Sequence, residues 1–348
     1  MKTISLTVLC LALGSLCLAQ NSFSSIDSLI KATSAQHPHI GISVGVIQNG
    51  QQQLFNYGFT DRSGKTRVSE TTTFEIGSIT KLLTGYLIAQ QVDAGTIQLD
   101  NVIDAYLPDD FTLNSGIQNQ IKVSDLASHQ SGLPEFDMLS LIQSYPTQPF
   151  DGVSKATVDS MLSNAPNVET AGTYRYSNLS YALLGAILEN TLNARYEDLL
   201  KQQVFQPLNM HNTYTSDVSK GTAATGYNAQ NEERPFLNWN PIAAPAGLVK
   251  SNTADMLRFV QALLNSENES VNQILRTTYF KNTFIELGLG LNIIRDGNAV
   301  IYAKSGDSLG QSSVLAFNPA KNWGVIILTN QANGTARQLF GDISVILN

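Results

Sequence analysis

Thiols are nearly absent: the 348 residues hold two cysteines, Cys10 and Cys17, both in the first seventeen positions. The rest of the chain therefore has no disulfide to draw on and must hold its fold by core packing. Histidine is scarce too, with only His37, His39, His129 and His211. His37-Pro38-His39 has no cysteine beside it and no helical i, i+4 partner, so no metal and no cofactor is expected. No run of like charge appears, and 21 Lys+Arg against 28 Asp+Glu give a net charge of −7. That balance argues against nucleic acid, whose phosphates call for clustered Lys and Arg. After residue 19 no apolar stretch reaches the roughly 18 residues needed to span a bilayer. Repeats and low-complexity tracts are also missing. What the chain does have is a 43% hydrophobic fraction, ample for a sizeable core. At about 150 residues per domain, its length fits two domains or one two-part fold.

The two cysteines fall in a mostly apolar run over residues 4–19, preceded by Lys2. This is the pattern of a secretory signal peptide, residues 1–19, with Cys17-Leu18-Ala19 as a small-x-small cleavage site before Gln20. An acylated Cys17 would need a better residue than Leu16 in front of it. Loss of Lys2 leaves 20 basic residues against 28 acidic ones, so the mature chain carries −8 and no thiol. It is expected outside the cytoplasm, secreted or periplasmic, as a monomer acting on a small molecule.

Residues 23–36 place Phe23, Ile26, Leu29 and Ile30 at helical spacing. Ile42, Val44 and Val46 alternate, Asn49-Gly50 fits a type I′ turn, and 54–57 returns as the second arm of a hairpin. From about 78 to 225 the pattern is mainly helical, broken by loops rich in Ser, Asn, Gly and Pro. A helix over 253–265 is capped by Asn252, with Asp255 in its first turn. Strands follow over 288–295, 299–304, 311–317 and 323–329, turning at Asp296-Gly297 and Asn318-Pro319, before a closing helix over 335–347. The prediction is an α/β (α+β) fold: a largely antiparallel sheet from the N- and C-terminal segments, flanked by helices. Residues 20–77 and 247–348 form that sheet lobe, and 78–246 form an inserted, mainly helical lobe. A cleft between two such lobes suits a small-molecule site.

Three polar clusters stand at element boundaries. Ser78-Ile79-Thr80-Lys81 opens an apolar helix behind Gly77, so Ser78 and Lys81, three apart, share one face. A serine hydroxyl becomes a useful nucleophile when a neighbour takes its proton, and a lysine can do so once burial lowers its pKa. Tyr176-Ser177-Asn178 precedes a second apolar helix; a phenol passes protons and a carboxamide holds an amide. Lys304-Ser305-Gly306 ends a strand, where the lysine attracts a carboxylate, Ser305 hydrogen-bonds it and Gly306 lets the backbone approach. Each cluster alone is common: a cap with a solvated lysine, an ordinary loop, an exposed strand end.

Together, in the order S-x-x-K, Y-x-N, K-S-G, they are far more specific. The chain resembles the serine β-lactamase and penicillin-binding-protein superfamily, in particular its class C β-lactamase-like branch. The resemblance runs through FEIGSITK, LASHQSGLP at 126–134, YSNLSYALLGAILE at 176–189, PLNMHNT at 207–213, LVKSNTADMLRFV at 248–260 and AKSGDSLGQSSVLAFNPAKNWGVIILTN at 303–330. Tyr-Ser-Asn and Lys-Ser-Gly stand where other branches have S-D-N and K-T-G. The resemblance implies a β-lactamase/transpeptidase-like fold with Ser78 as the acylated nucleophile and Lys81 and Tyr176 sharing proton transfer. It implies that Asn178 holds the substrate amide, Lys304 with Ser305 draws a carboxylate, and the N–H groups of Ser78 and Asp307 form the oxyanion hole beside Gly306. In that branch the tyrosine region, rather than a glutamate, is implicated in activating the deacylating water.

Two other motifs are set aside. Gly306-Asp307-Ser308-Leu309-Gly310 spells a nucleophile elbow, but that fold needs a histidine after the serine and the last one here is His211. Glu189-Asn190-Thr191-Leu192-Asn193 imitates a class A deacylation loop, yet it continues an apolar helix and reads as its exit. Three departures from class C bear on the substrate: Glu135 near an expected glutamine, no tyrosine in 246–250, and a short stretch between the second and third motifs. The expected activity is β-lactam hydrolysis through a Ser78 acyl-enzyme. D-alanyl-D-alanine peptidase or small-ester hydrolysis and a slowly deacylating penicillin-binding sensor are the alternatives.

Overall fold

The structure is a computed structural model that describes residues 4–165, 172–215 and 223–348, with side chains from residue 20 onward. The side chains of residues 1–19, including both cysteines, thus lie outside the described residues. The helix read over 23–36 is the last part of α1 (Ile4–Gln36). It leads into β1 (Ile42–Gln48) and β2 (Gln51–Tyr57), a tight hairpin. Asn49 (φ 51°) and Gly50 (φ 79°) are both left-handed, as a type I′ turn requires.

After the short β3 (Phe74–Glu75) come α2 (Thr80–Asp93), α3 (Val123–Ala127), α4 (Met138–Ser144), α5 (Lys155–Ser163), α6 (Asn178–Leu192) and α7 (Tyr196–Leu200). The pair β4 (Gly226–Tyr227) and β5 (Glu233–Arg234) follows, and β6 (Lys250–Ser251) pairs back with β3. Next are α8 (Thr253–Leu264), whose cap Asn252 accepts the Asp255 N–H at 2.9 Å, and α9 (Glu269–Arg276). The chain ends with β7 (Phe280–Lys281), β8 (Glu286–Leu287), β9 (Asn292–Asp296), β10 (Ala299–Asp307), β11 (Ser312–Asn318), β12 (Trp323–Thr329) and α10 (Thr335–Leu347).

Eight strands form one antiparallel sheet in the order β2-β1-β12-β11-β10-β9-β8-β7, so both ends of the chain build it. The strand expected over 288–295 is broken. Residues 288–291 turn between β8 and β9, because Gly290 (φ 75°) lies against the Lys81 carbonyl, 2.4 Å from where a Cβ would sit.

Period-two alternation buries both faces of the sheet. On one side Val44, Val314, Ala316, Val325 and Ile327 meet Ile26 and Ile30 of α1 and Leu339 and Ile343 of α10. On the other, Leu315, Phe317, Ile326 and Leu328 join Met256, Phe259 and Val260 of α8 and the cores of α2 and α6. That second cluster fixes the helical region against the sheet, and the polar clusters meet along this seam.

Candidate active site

Ser78 occupies a single 3₁₀ turn, Gly77–Ile79, immediately ahead of α2. It is one step earlier than the cap position the sequence suggested; Ile79 is the residue that precedes the helix. Two glycines explain how β10 reaches this turn. A Cβ on Gly77 (φ 50°) would lie 2.9 Å from the Asp307 nitrogen, and one on Gly306 would lie 2.0 Å from the Ile76 carbonyl and 2.8 Å from the Ser78 nitrogen. Only hydrogen fits at either place, so the backbones of 77–78 and 306–307 lie against one another.

Lys81, the second residue of α2, is fully buried. Its Nζ donates to the Ala246 carbonyl at 2.7 Å and to Asn178 Oδ1 at 2.8 Å, and lies 3.3 Å from Ser78 Oγ. It also sits over the rings of Tyr176 and Tyr181, 4.9 and 5.4 Å from their centroids. Burial brings its pKa down to about 7, against a smaller upward pull from Glu135. A neutral amine keeps two N–H bonds and one lone pair. The two shorter contacts use the N–H groups, which leaves the lone pair for the serine hydroxyl.

Tyr176 donates its phenol to Ser78 Oγ at 2.6 Å. The next residue, Ser177, caps α6 by accepting the Ser180 N–H at 2.9 Å, and Asn178 is that helix's first residue. The Asn178 carboxamide is turned inward onto Lys81, and its backbone N–H donates to Glu135. The third cluster comes up on β10. Lys304 is buried, with Nζ 5.0 Å from the Tyr176 ring centroid, and burial lowers its pKa. The Asp307 carboxylate accepts from Ser312 Oγ at 2.6 Å and pairs with Arg337.

Ser78, Tyr176, Lys304, Ser305 and Asp307 line one cleft of about 370 Å³, together with His129, Tyr174 and Arg337. A larger and more apolar cavity, about 540 Å³, lies between Glu135 and α4–α5. Ser78 and Tyr176 face the smaller one, with Lys81 buried behind them, and chemistry, not size, singles it out as the candidate site.

All three predicted clusters are thus brought together. His129 and the Ala246 carbonyl were missed as site groups, and Glu135 was read only as a departure bearing on the substrate. Glu135 and His129 lie within LASHQSGLP or directly after it, but their spacing carries no catalytic signature. A backbone carbonyl has none at all.

Both rejected motifs are structural. Ser308 Oγ accepts the N–H groups of Gly310 and Gln311 in the β10–β11 turn, at 3.3 and 3.1 Å. Glu189 accepts the Tyr196 N–H at 2.7 Å and closes the exit of α6. Among the described residues no group of three or more His, Cys, Asp or Glu could hold a metal.

Comparison with known proteins gives the same picture. A "Beta-lactamase" of Psychrobacter immobilis is 27% identical over 347 residues, covering 88% of this chain and 82% of that protein. "Protein flp" of Staphylococcus aureus (strain MW2) is 27% identical across 90% of this chain, which spans 64% of that longer relative. Among solved structures, a class C beta-lactamase superposes with a TM-score of 0.80 at 23% identity, over 94% of this chain and 95% of the other. A "Beta-Lactamase/D-Alanine Carboxypeptidase from Pseudomonas syringae" does so with 0.77 at 24%, over 93% and 98%. These likenesses establish the fold, and the family model for Beta-lactamase matches residues 26–345, nearly the whole chain. The protein therefore belongs to the Beta-lactamase family of serine hydrolases.

Proposed function

We propose that this protein is a secreted serine hydrolase that opens β-lactam amides through a Ser78 acyl-enzyme. The observation that carries the reading is the contact set of Ser78 Oγ, 2.6 Å from the Tyr176 phenol and 3.3 Å from the buried Lys81 amine. Ser78 Oγ attacks the amide carbonyl as its proton passes to neutral Lys81. The oxyanion is held by the N–H groups of Ser78 and Asp307, whose backbones Gly77 and Gly306 allow to meet. Tyr176 then delivers a proton to the leaving nitrogen, and the C–N bond breaks. Water enters, gives up its proton to the same phenol–lysine pair, and releases the acid while Ser78 regains its hydrogen. Lys304 and Ser305 draw the substrate carboxylate into the cleft. Asn178 orients the substrate amide from the mouth of α6. The leader over residues 1–19 delivers the enzyme outside the cytoplasm, where it works as a monomer.

Buried Lys304 beside Ser305 equally suits a peptide ending in D-alanyl-D-alanine, which bears the same carboxylate, and this makes carboxypeptidase activity the second reading. The test is to incubate the protein with a chromogenic cephalosporin, a D-Ala-D-Ala peptide and a nitrophenyl ester, with mass spectrometry to locate adducts. Rapid multiple turnover of the cephalosporin is the expected result. Peptide or ester turnover with slow cephalosporin release transfers the assignment to the second reading, and a lasting one-to-one adduct marks a sensor. Ser78→Ala removes all three signals. Lys304→Ala lowers kcat/KM for carboxylate-bearing substrates by about 10-fold or more, the scale of one charge-assisted contact, and spares neutral esters.

A further inference from the structure

His129 follows α3 in a left-handed backbone conformation, φ 59°, uncommon for any residue but glycine. It is 3% exposed, and its ring borders the cleft. Three of its contacts converge on the segment that carries Tyr176. The His129 carbonyl accepts the Arg175 N–H at 2.8 Å. Its Nδ1 accepts the Ser177 N–H at 3.2 Å. Its ring lies against the Tyr176 ring, with centroids 4.5 Å apart and planes inclined by 37°. The residues before and after Tyr176 are therefore both fastened to one side chain and its backbone, and the phenol ring between them rests on the imidazole.

Because Nδ1 accepts, the proton of the neutral ring sits on Nε2. That nitrogen is buried with no hydrogen-bond partner among the described residues. A left-handed non-glycine and an orphaned buried donor both cost stability, and such costs gather where geometry is under functional constraint.

We propose that His129 is the positioning residue of Tyr176: a neutral imidazole clamp that sets the 2.6 Å approach of the phenol to Ser78 Oγ. The inference rests on Ser78 being the nucleophile and Tyr176 its proton partner, but not on which substrate is hydrolysed. Displacing the phenol by about 1 Å slows the serine's chemistry by about 10²-fold, although His129 makes no hydrogen bond to Ser78.

The experiment follows the rate at which a small fluorophosphonate labels Ser78, in the full chain, with melting temperature recorded alongside. His129→Gly relaxes the backbone and removes ring and acceptor together. His129→Asn tolerates the left-handed backbone and returns an acceptor for the Ser177 N–H without the ring. Labelling is expected to fall about 10²-fold in the glycine variant and by a smaller factor in the asparagine variant. In a Tyr176→Phe background either substitution should change the remaining rate by less than about twofold, since residues acting through one group are non-additive. A general structural role would instead give equal losses in both backgrounds. That result, or labelling at the unaltered rate in either folded variant, overturns the proposal; if one variant does not fold, the other decides. If Ser78 is not labelled in the unaltered protein, the nucleophile assignment is what fails.

Discussion

Lys81 has little in common with a surface lysine. A fully buried ammonium would need its three donors satisfied and its charge compensated. It has three acceptors within reach, yet the nearest carboxylate, Glu135, is occupied by the N–H groups of Asn178 and Phe136. Desolvation wins, and the amine titrates at about 7. Its other charged and titratable neighbours are Tyr176 and Tyr181, which present ring faces, His129, whose pKa burial lowers, and Lys304, which opposes a second positive charge. In the proposed reaction Lys81 accepts the serine proton in its neutral form, so acylation should rise with pH through about 7. Glu135 pulls that pKa upward. Glu135→Gln removes the charge and keeps an acceptor for the Asn178 N–H, so the acid limb of kcat/KM should move to lower pH. The check is the pH–rate profile of acylation, and a limb that stays in place or moves upward removes Glu135 from the electrostatics of the site.

Among the elements, the contact between β10 and the serine turn is the least forgiving. A methyl group on Gly306 would press on the Ile76 carbonyl, an atom of the backbone that cannot swing aside. Gly306→Ala should therefore part the strand from the turn, costing about 1–3 kcal/mol of stability from overpacking and about 10²-fold in kcat/KM. Gly341, exposed within α10 with open space around its Cα, is the matched control. Gly341→Ala should stabilise by up to about 1 kcal/mol and leave activity intact. Urea denaturation and steady-state kinetics on the two variants check both statements.

The same scale explains which features were legible in the sequence. Asn49-Gly50, Asn252 and the alternation of Ile42, Val44 and Val46 are local signals, written within a few residues of what they determine. The meeting of the three polar clusters was legible because hydroxyl, amine and phenol chemistry at element boundaries is an unusual combination. His129, Glu135 and the Ala246 carbonyl act through space on groups 47, 43 and 165 positions away in the chain, and no periodicity records that. The break at 288–291 was hidden for a related reason: Gly290 answers to the backbone of Lys81, not to its own neighbours.

At the scale of the whole molecule, one sheet ties the two ends of the chain together and the helical region is packed onto it, so the cleft exists only when both are folded. The joining is done by buried apolar surface on both faces of the sheet, with Trp323, Phe317 and Phe259 all shielded from solvent. A chain of this length buries about three quarters of its unfolded surface, enough to stand without cross-links. That independence can be tested together with the proposed cleavage after Ala19, since both cysteines precede it. Protein collected outside the cell should begin at Gln20, show no thiol to a maleimide reagent in denaturant, and melt at the same temperature with or without dithiothreitol. Two titratable thiols in the exported protein would mean that the leader is retained. A lower melting temperature under reduction would mean that sulfur chemistry contributes to a fold here attributed to packing alone.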